Sequence, residues 1–182
     1  MNARIEALHL VQTALWRELS RGASERDHAW HVLSLATVEG ERACARSVVL
    51  REAAAERHEL IFYCDARSSK VAQMRARPLG TLLAWSPLMQ WQLRLEVSLR
   101  VVESGLEVSS RWARVKLSPS AQDFLSPLPP GSPVDRYSPE RATRDHFAVV
   151  TAEVSAVDWL ELHADGHRRA RFDANGARWL AP

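Results

Sequence analysis

Residues 91–102 read Trp91-Gln92-Leu93-Arg94-Leu95-Glu96-Val97-Ser98-Leu99-Arg100-Val101-Val102. Trp91, Leu93, Leu95, Val97, Leu99 and Val101 point one way. Gln92, Arg94, Glu96, Ser98 and Arg100 point the other. A period of two marks a strand with one face in a core and one face toward water. Working outward, Leu79–Trp85 is apolar enough for a buried strand and is broken by Ser86-Pro87. Further upstream, His31–Thr37, Ala43–Arg51 and Leu60–Cys64 have strand character, with Glu39-Gly40 as a turn. Downstream, Phe147–Trp159 predicts a long strand, and Arg168–Phe172 with Arg178–Leu180 a closing hairpin.

Helical spacing appears in three places. Residues 3–20 carry Ile5, Leu8, Val11, Leu15 and Leu19 on one stripe, and Gly22 with the polar run to Asp27 predicts the end. Ser69–Arg77 places Val71 and Met74 inward before Pro78 stops the helix. Leu106–Leu117 is the third. Residues 118–140 hold six of the nine prolines and predict a loop that shapes a pocket. The expected fold is mainly β: an antiparallel sheet of six or more strands with flanking helices. Closing it into a small barrel removes the edge strands. No internal boundary appears, so residues 1–182 are expected to form a single domain.

At 182 residues the chain is long enough for a sizeable core, and its 46% hydrophobic and 25% charged content is that of an ordinary globular protein. A net charge of +2 argues against a nucleic-acid partner, for which a basic domain is expected. No apolar run approaches the length of a membrane span, and the charged N-terminus does not read as a signal peptide. Cys44 and Cys64 do not make a disulfide framework, and no Cys/His group has zinc spacing. The expectation is a cytoplasmic protein with no metal.

Two segments carry candidate chemistry. Arg46-Ser47-Val48-Val49-Leu50-Arg51 is strand-like, with Arg46, Val48 and Leu50 on one face and Ser47, Val49 and Arg51 on the other. Phe62-Tyr63-Cys64-Asp65-Ala66-Arg67-Ser68-Ser69-Lys70 runs off a strand into a helix. A helix start offers unpaired amides and a partial positive charge to a phosphate. Ser68 is a plausible cap, Lys70 opposes the helix dipole unless it meets an anion, and Arg67 adds a second charge. Read alone, each segment equally describes an ordinary capped surface helix and solvated strand-end charges. Gln92 offers a donor and an acceptor to a ring edge, or simply lines the wet side of its strand.

In order and spacing these segments resemble the pyridoxamine 5′-phosphate oxidase family of FMN-binding split-barrel proteins. The family's Arg-x-Val-Leu-Leu-Lys strand is matched by Arg46–Arg51, its Phe-Tyr-Thr-Asn by Phe62-Tyr63-Cys64-Asp65, and its Ser-Arg-Lys by Ser68-Ser69-Lys70. Its Asn-Pro, apolar strand and Arg-Gln-Val-Arg-Ile-Glu-Gly are matched by Arg77-Pro78, Leu82–Trp85 and Trp91–Val97, and its closing Arg-Leu-Ala-Pro by Trp179-Leu180-Ala181-Pro182. The resemblance implies a six-stranded antiparallel split barrel, a homodimer, and FMN at the dimer interface. It implies that Arg46 and Lys70 contact the FMN phosphate with Ser68 and Ser69 nearby, and that Ser47, Val48, Val49, Leu50 and Arg51 run along the flavin. It places Tyr63 and Cys64 at the ring or ribityl chain, Gln92 at a polar ring edge, and Arg171 reaching in from the other subunit.

The substrate half departs from the family. The family's substrate-site Lys is Arg51, its Tyr is Phe124, its phosphate-gripping Arg is Leu128, and its Arg-Leu-His is His167-Arg168-Arg169. Arg51, Ser132, His167 and Arg169 are the positions left to meet a substrate. Losing cations opposite a dianion is costly. The expectation is an FMN-dependent oxidoreductase acting on another small molecule. A non-catalytic flavin carrier or sensor, pyridoxamine 5′-phosphate oxidase itself, and a deazaflavin or haem ligand are the alternatives.

Overall fold

The computed structural model describes residues 4–136, 141 and 146–182. Among them, eight strands form one antiparallel sheet: β1 (Val32–Glu39), β2 (Arg42–Ala54), β3 (Glu59–Asp65), β4 (Leu79–Ser86), β5 (Trp91–Val102), β6 (Phe147–Glu161), β7 (Arg168–Asp173) and β8 (Gly176–Leu180). Their order is β3-β2-β1-β4-β5-β6-β7-β8, and β3 also pairs with β6. That extra pairing, from Glu59 opposite Glu153 to Asp65 opposite Phe147, closes the first six strands into a barrel. The far half of β6 carries the β7–β8 hairpin outward.

The alternation along β5 is realised in full. Trp91, Leu93, Leu95, Val97 and Leu99 are buried, and Gln92, Arg94, Glu96, Ser98 and Arg100 face out. They meet Leu33, Leu35, Val48, Leu50, Leu60, Phe62 and Leu82 in one core. Helix α1 (Leu8–Ser24) adds Val11, Leu15 and Leu19 to that core, and α2 (Ser69–Ala76) adds Val71 and Met74. A second, smaller cluster lies outside the barrel wall. There α3 (Leu106–Val115) and the short helical turn Pro119–Phe124 lay Val108, Trp112 and Phe124 over Ile61, Tyr63, Phe147 and Val149.

The first helix differs from its sequence expectation at both ends. Residues 4–7 are not helical, because tertiary contacts hold them elsewhere: Arg4 pairs with Glu161 at 2.7 Å, and the Ile5 carbonyl accepts from Arg168. Gly22 does not end the helix. It sits inside α1 where the chain presses on Trp30, and a Cβ at that position would lie 2.9 Å from the Trp30 carbonyl oxygen. The glycine serves close approach, and the helix runs on to Ser24. Strand β2 extends past Arg51 to Ala54, with a bulge between Leu50 and Glu52 against β3. Part of the expected proline-rich loop is the helical turn Pro119–Phe124, and residues 137–140 of that segment lie outside the described residues.

Candidate functional site

The two segments singled out in the sequence meet at one pocket of about 210 Å³. Its walls are Ser47, Val48, Val49 and Arg51 from β2, Tyr63, Cys64 and Asp65 from β3, and Lys70 from α2. Asp123, Phe124 and Pro130 close it from the helical turn and the loop after it. The bulge at Leu50/Glu52 makes Arg51 the extra residue of its strand, and bulges commonly re-aim a side chain beside a site. The Arg51 guanidinium lies 5.8 Å from the Tyr63 ring centroid. It makes no ion pair among the described residues. Burial lowers its pKa, with the charges of Tyr63 and Asp123 pulling the other way.

Lys70 is the second cation. Its Nζ donates to Ser68 Oγ at 3.2 Å, a neutral partner. Ser68 occupies the cap position of α2, yet its hydroxyl donates to the Asp65 carbonyl at 2.8 Å, so no side chain caps the helix. Lys70, in the first turn of α2, therefore brings its ammonium to one end of the pocket, and the helix start beside it has no side-chain cap. The Cys64 thiol is buried, and burial pushes its pKa up to about 11, which keeps it protonated and inert. Tyr63 lends its ring to the pocket while its hydroxyl donates to Glu52 Oε1 at 3.2 Å. Arg111 of α3 grips both oxygens of that carboxylate at 2.8 Å, and this charge-assisted contact leads the causes that lower the Glu52 pKa.

Several sequence-predicted residues stand elsewhere. Arg46 turns its guanidinium away from the pocket wall, donating to the Leu35 carbonyl, to Thr37 Oγ1 and to Gln73 Oε1 on α2. The Leu50 side chain is in the barrel core, only 1% exposed. Ser69 opens α2 without lining the pocket. Gln92 lies opposite Trp85 on the outer face, and from Val49 on β2 it is three strand spacings away across β1 and β4. That is about 14 Å at ordinary strand separation, too far for Gln92 to reach the pocket of its own chain. Arg171 closes on both oxygens of Glu96, at 2.9 and 3.0 Å, and on Asp173 at 2.8 Å. Arg169 chelates Asp158 at 2.8 and 2.9 Å. His167 accepts from the His163 amide, and the Ser132 amide donates to the Pro129 carbonyl. None of Ser132, His167 and Arg169 lines the pocket. Asp123 and Pro130 do; the sequence placed a pocket-shaping loop over 118–140 without singling out either residue. A larger open depression of about 410 Å³ lies between α1 and the β2–β3 turn and contains none of these residues.

The fold is thus a closed six-stranded antiparallel barrel whose pocket joins an uncapped helix start, an adjacent lysine and a wall of Val48, Val49, Tyr63 and Phe124. Residues 13–103 match the family model described as "Pyridoxamine 5'-phosphate oxidase, FMN-binding domain", so the chain belongs to that family. No curated protein sequence matches it. Among solved structures, the chain is similar to a pyridoxamine 5′-phosphate oxidase-related, FMN binding protein from Nostoc punctiforme (23% identity, 93% of this chain and 96% of that one, TM-score 0.71). It is also similar to PhzG from Burkholderia lata in complex with tetrahydrophenazine-1-carboxylic acid (18% identity, 93% and 91%, TM-score 0.76). A heme binding protein from Mycobacterium smegmatis shares the fold more loosely (15% identity, 85% and 57%, TM-score 0.53). At these identities the likeness is one of fold.

Proposed function

We propose that this protein binds FMN in the pocket between β2, β3 and α2, and uses it as an oxidoreductase on a small molecule. The observation that carries the reading is the pairing of Arg51 and Lys70. Both are cations without a carboxylate ion pair among the described residues, and they face one pocket whose remaining walls are largely apolar or aromatic. Lys70 and the first amides of α2 hold the phosphate. The outer edge of β2 from Ser47 to Val49 gives the ring a flat surface. When bound, FMN supplies the hydride-accepting chemistry, and the chain supplies orientation and charge. The family's gripping arginine is Leu128 here, so the substrate lacks a phosphate dianion. PhzG holds a ring-borne carboxylate, and a single carboxylate suits the fork of Arg51.

The pocket is completed by a second copy of the chain in this reading. At about 210 Å³ it falls short of the roughly 300–1,000 Å³ of common ligand sites, so one chain encloses only part of the cofactor. Beside it the outer face of β1 and β4 is bare and apolar, with Val32, Leu79, Leu83 and Trp85 between 40% and 69% exposed. Ser47 and Val49 stand directly opposite Ser34 and Val32 at the edge of that face. A copy laid on it brings its own Gln92 and Arg171 toward this pocket.

Purified protein is expected to be yellow, to release FMN on denaturation, and to run at twice the chain mass in light scattering. A colourless protein that takes up no added FMN, or a Soret band in place of flavin bands, refutes the cofactor assignment. Anaerobic bleaching of the bound flavin by NADH, NADPH or a ring carboxylate separates an oxidoreductase from a carrier.

A further inference from the structure

Arg67 stands between the phosphate end of the pocket and the loop that closes its other end. On one side its guanidinium holds the Asp65 carboxylate, Nε to Oδ1 at 3.1 Å and Nη2 to Oδ2 at 2.7 Å, while its own amide donates to Oδ1 at 2.8 Å. On the other side it meets three successive carbonyls. Nη2 donates to the Ser126 oxygen at 2.8 Å and the Leu128 oxygen at 3.3 Å, and Nη1 to the Pro127 oxygen at 3.3 Å. Only a planar fork with five donors spans a carboxylate and a run of carbonyls at once. The Asp65 side chain is 3% exposed and that of Arg67 21%, so water competes little for these bonds.

The backbone repeats the attachment. Ala66 N–H donates to the His146 carbonyl at 2.7 Å, and His146 N–H donates to the Phe124 carbonyl at 3.0 Å. Phe124, just before the 126–128 carbonyls, is thus joined to Ala66 through His146. With the carbonyls of residues 126–128 turned toward Arg67, Asp123 and Phe124 before them and Pro130 after them form the pocket wall. The Leu128 side chain is left 46% exposed.

We propose that Arg67 is a positioning residue, a clamp anchored on Asp65 that holds the 126–128 backbone and thereby sets the wall formed by Asp123, Phe124 and Pro130. The sequence counts Arg67 as a second cation for a phosphate. The structure uses it to join the cofactor end of the pocket to the end that receives the second ligand. The consequence for the ligand rests on the flavin reading of the pocket, whereas the clamp itself acts in the ligand-free chain.

Two variants test it. Arg67→Lys keeps the charge but offers a single nitrogen where the fork has three. Asp65→Asn/Arg67→Met removes the pair without stranding a buried charge. Hydrogen exchange of the ligand-free proteins is followed by mass spectrometry. Amides within residues 120–136 are expected to exchange at least about 10-fold faster in both variants, as losing charge-assisted bonds predicts, with β5 and β6 unchanged. In FMN and riboflavin titrations, the ratio of the two dissociation constants is expected to stay within about 3-fold of wild type while the visible band of bound flavin shifts. Unchanged exchange in residues 120–136, or full protection restored by lysine, overturns the clamp. Faster exchange throughout the barrel in both variants also overturns it, because the pair then holds the fold rather than the loop. Wild-type protein that binds no flavin ends the cofactor reading, and the exchange data still decide the clamp.

Discussion

Replacing Lys70 by alanine tests the phosphate end of the pocket with a magnitude that follows from its surroundings. The ammonium donates to Ser68 Oγ at 3.2 Å and makes no ion pair among the described residues. An incoming phosphate therefore displaces no carboxylate, and Lys70 adds a charge-assisted hydrogen bond worth about 1.5–3 kcal/mol. The FMN dissociation constant should rise roughly 10- to 100-fold in Lys70→Ala. Riboflavin has the same ring and ribityl chain without the phosphate, so its affinity should change less than about 3-fold. Quenching of flavin fluorescence during titration measures both constants in one buffer. Raising the salt should narrow the difference between wild type and variant for FMN alone, because screening acts on the charge pair. If FMN and riboflavin weaken by the same factor, Lys70 acts through packing or fold, and the phosphate assignment is wrong. If neither weakens, the phosphate does not sit at the start of α2.

Four further outcomes follow from the geometry. Glu52→Gln should destabilise the protein by about 1–2 kcal/mol in urea unfolding, since it leaves Arg111 at 15% exposure without its chelating carboxylate; an unchanged midpoint would show the network to be idle. Four paired carboxylates in separate places predict a pH response: Glu18, Glu52, Asp158 and Glu161 have folded pKa values lowered below their ordinary ones, so their stabilisation is full above the ordinary carboxylate range and is lost as pH falls through the lowered values. Stability should be flat near neutrality and fall only below about pH 4.5, and a loss beginning at pH 6 contradicts this. Gly22→Ala gains up to about 1 kcal/mol of helix propensity but drives a Cβ to 2.9 Å from the Trp30 carbonyl oxygen, so a lower melting temperature is expected where propensity alone predicts a higher one. At pH 8 a thiol reagent should label Cys44 quickly and Cys64 slowly, because Cys64 is 5% exposed with its pKa near 11; two equally fast thiols would refute that burial.

How far the sequence reached depended on whether a residue's role was local. Strand β5 was legible because alternation is a property of the strand itself, and β4 and β6 because apolar runs bounded by turn residues have few other readings. A closed barrel was expected because it removes edge strands, but the pair that closes it was not legible from pattern, since nothing local to Glu59–Asp65 says that it pairs with Phe147–Glu153 as well as with β2. The bulge that frees Arg51 is likewise a mismatch between two strands, invisible in either one. Gly22 looked like a helix stop because its real constraint, Trp30, arrives only through tertiary packing. Parts of residues 46–51 and 62–70 line one pocket, while Arg46 and Leu50 turn their side chains elsewhere.

The arginines show why charge alone is a poor guide in this chain and pairing a good one. Of 24 basic residues only two are lysines, and composition gives no way to sort them. The structure sorts them by partner. Arg94 and Arg169 share Asp158, Arg171 and Arg178 share Asp173, Arg4 and Arg168 share Glu161, and Arg111 holds Glu52. Each of these charges is compensated within the chain and would have to break a close pair before meeting a ligand. Arg67 resembles them in holding Asp65, and differs in using its remaining donors on a loop. Arg51 and Lys70 make no such ion pair among the described residues, and both lie on the same pocket. Arg171 is the informative intermediate. It can serve a second copy's cofactor only if its bonds to Glu96 are exchanged or extended, so Glu96→Gln should loosen Arg171. That change should strengthen FMN binding if the partner reading is right, and leave it unchanged if Arg171 is purely structural.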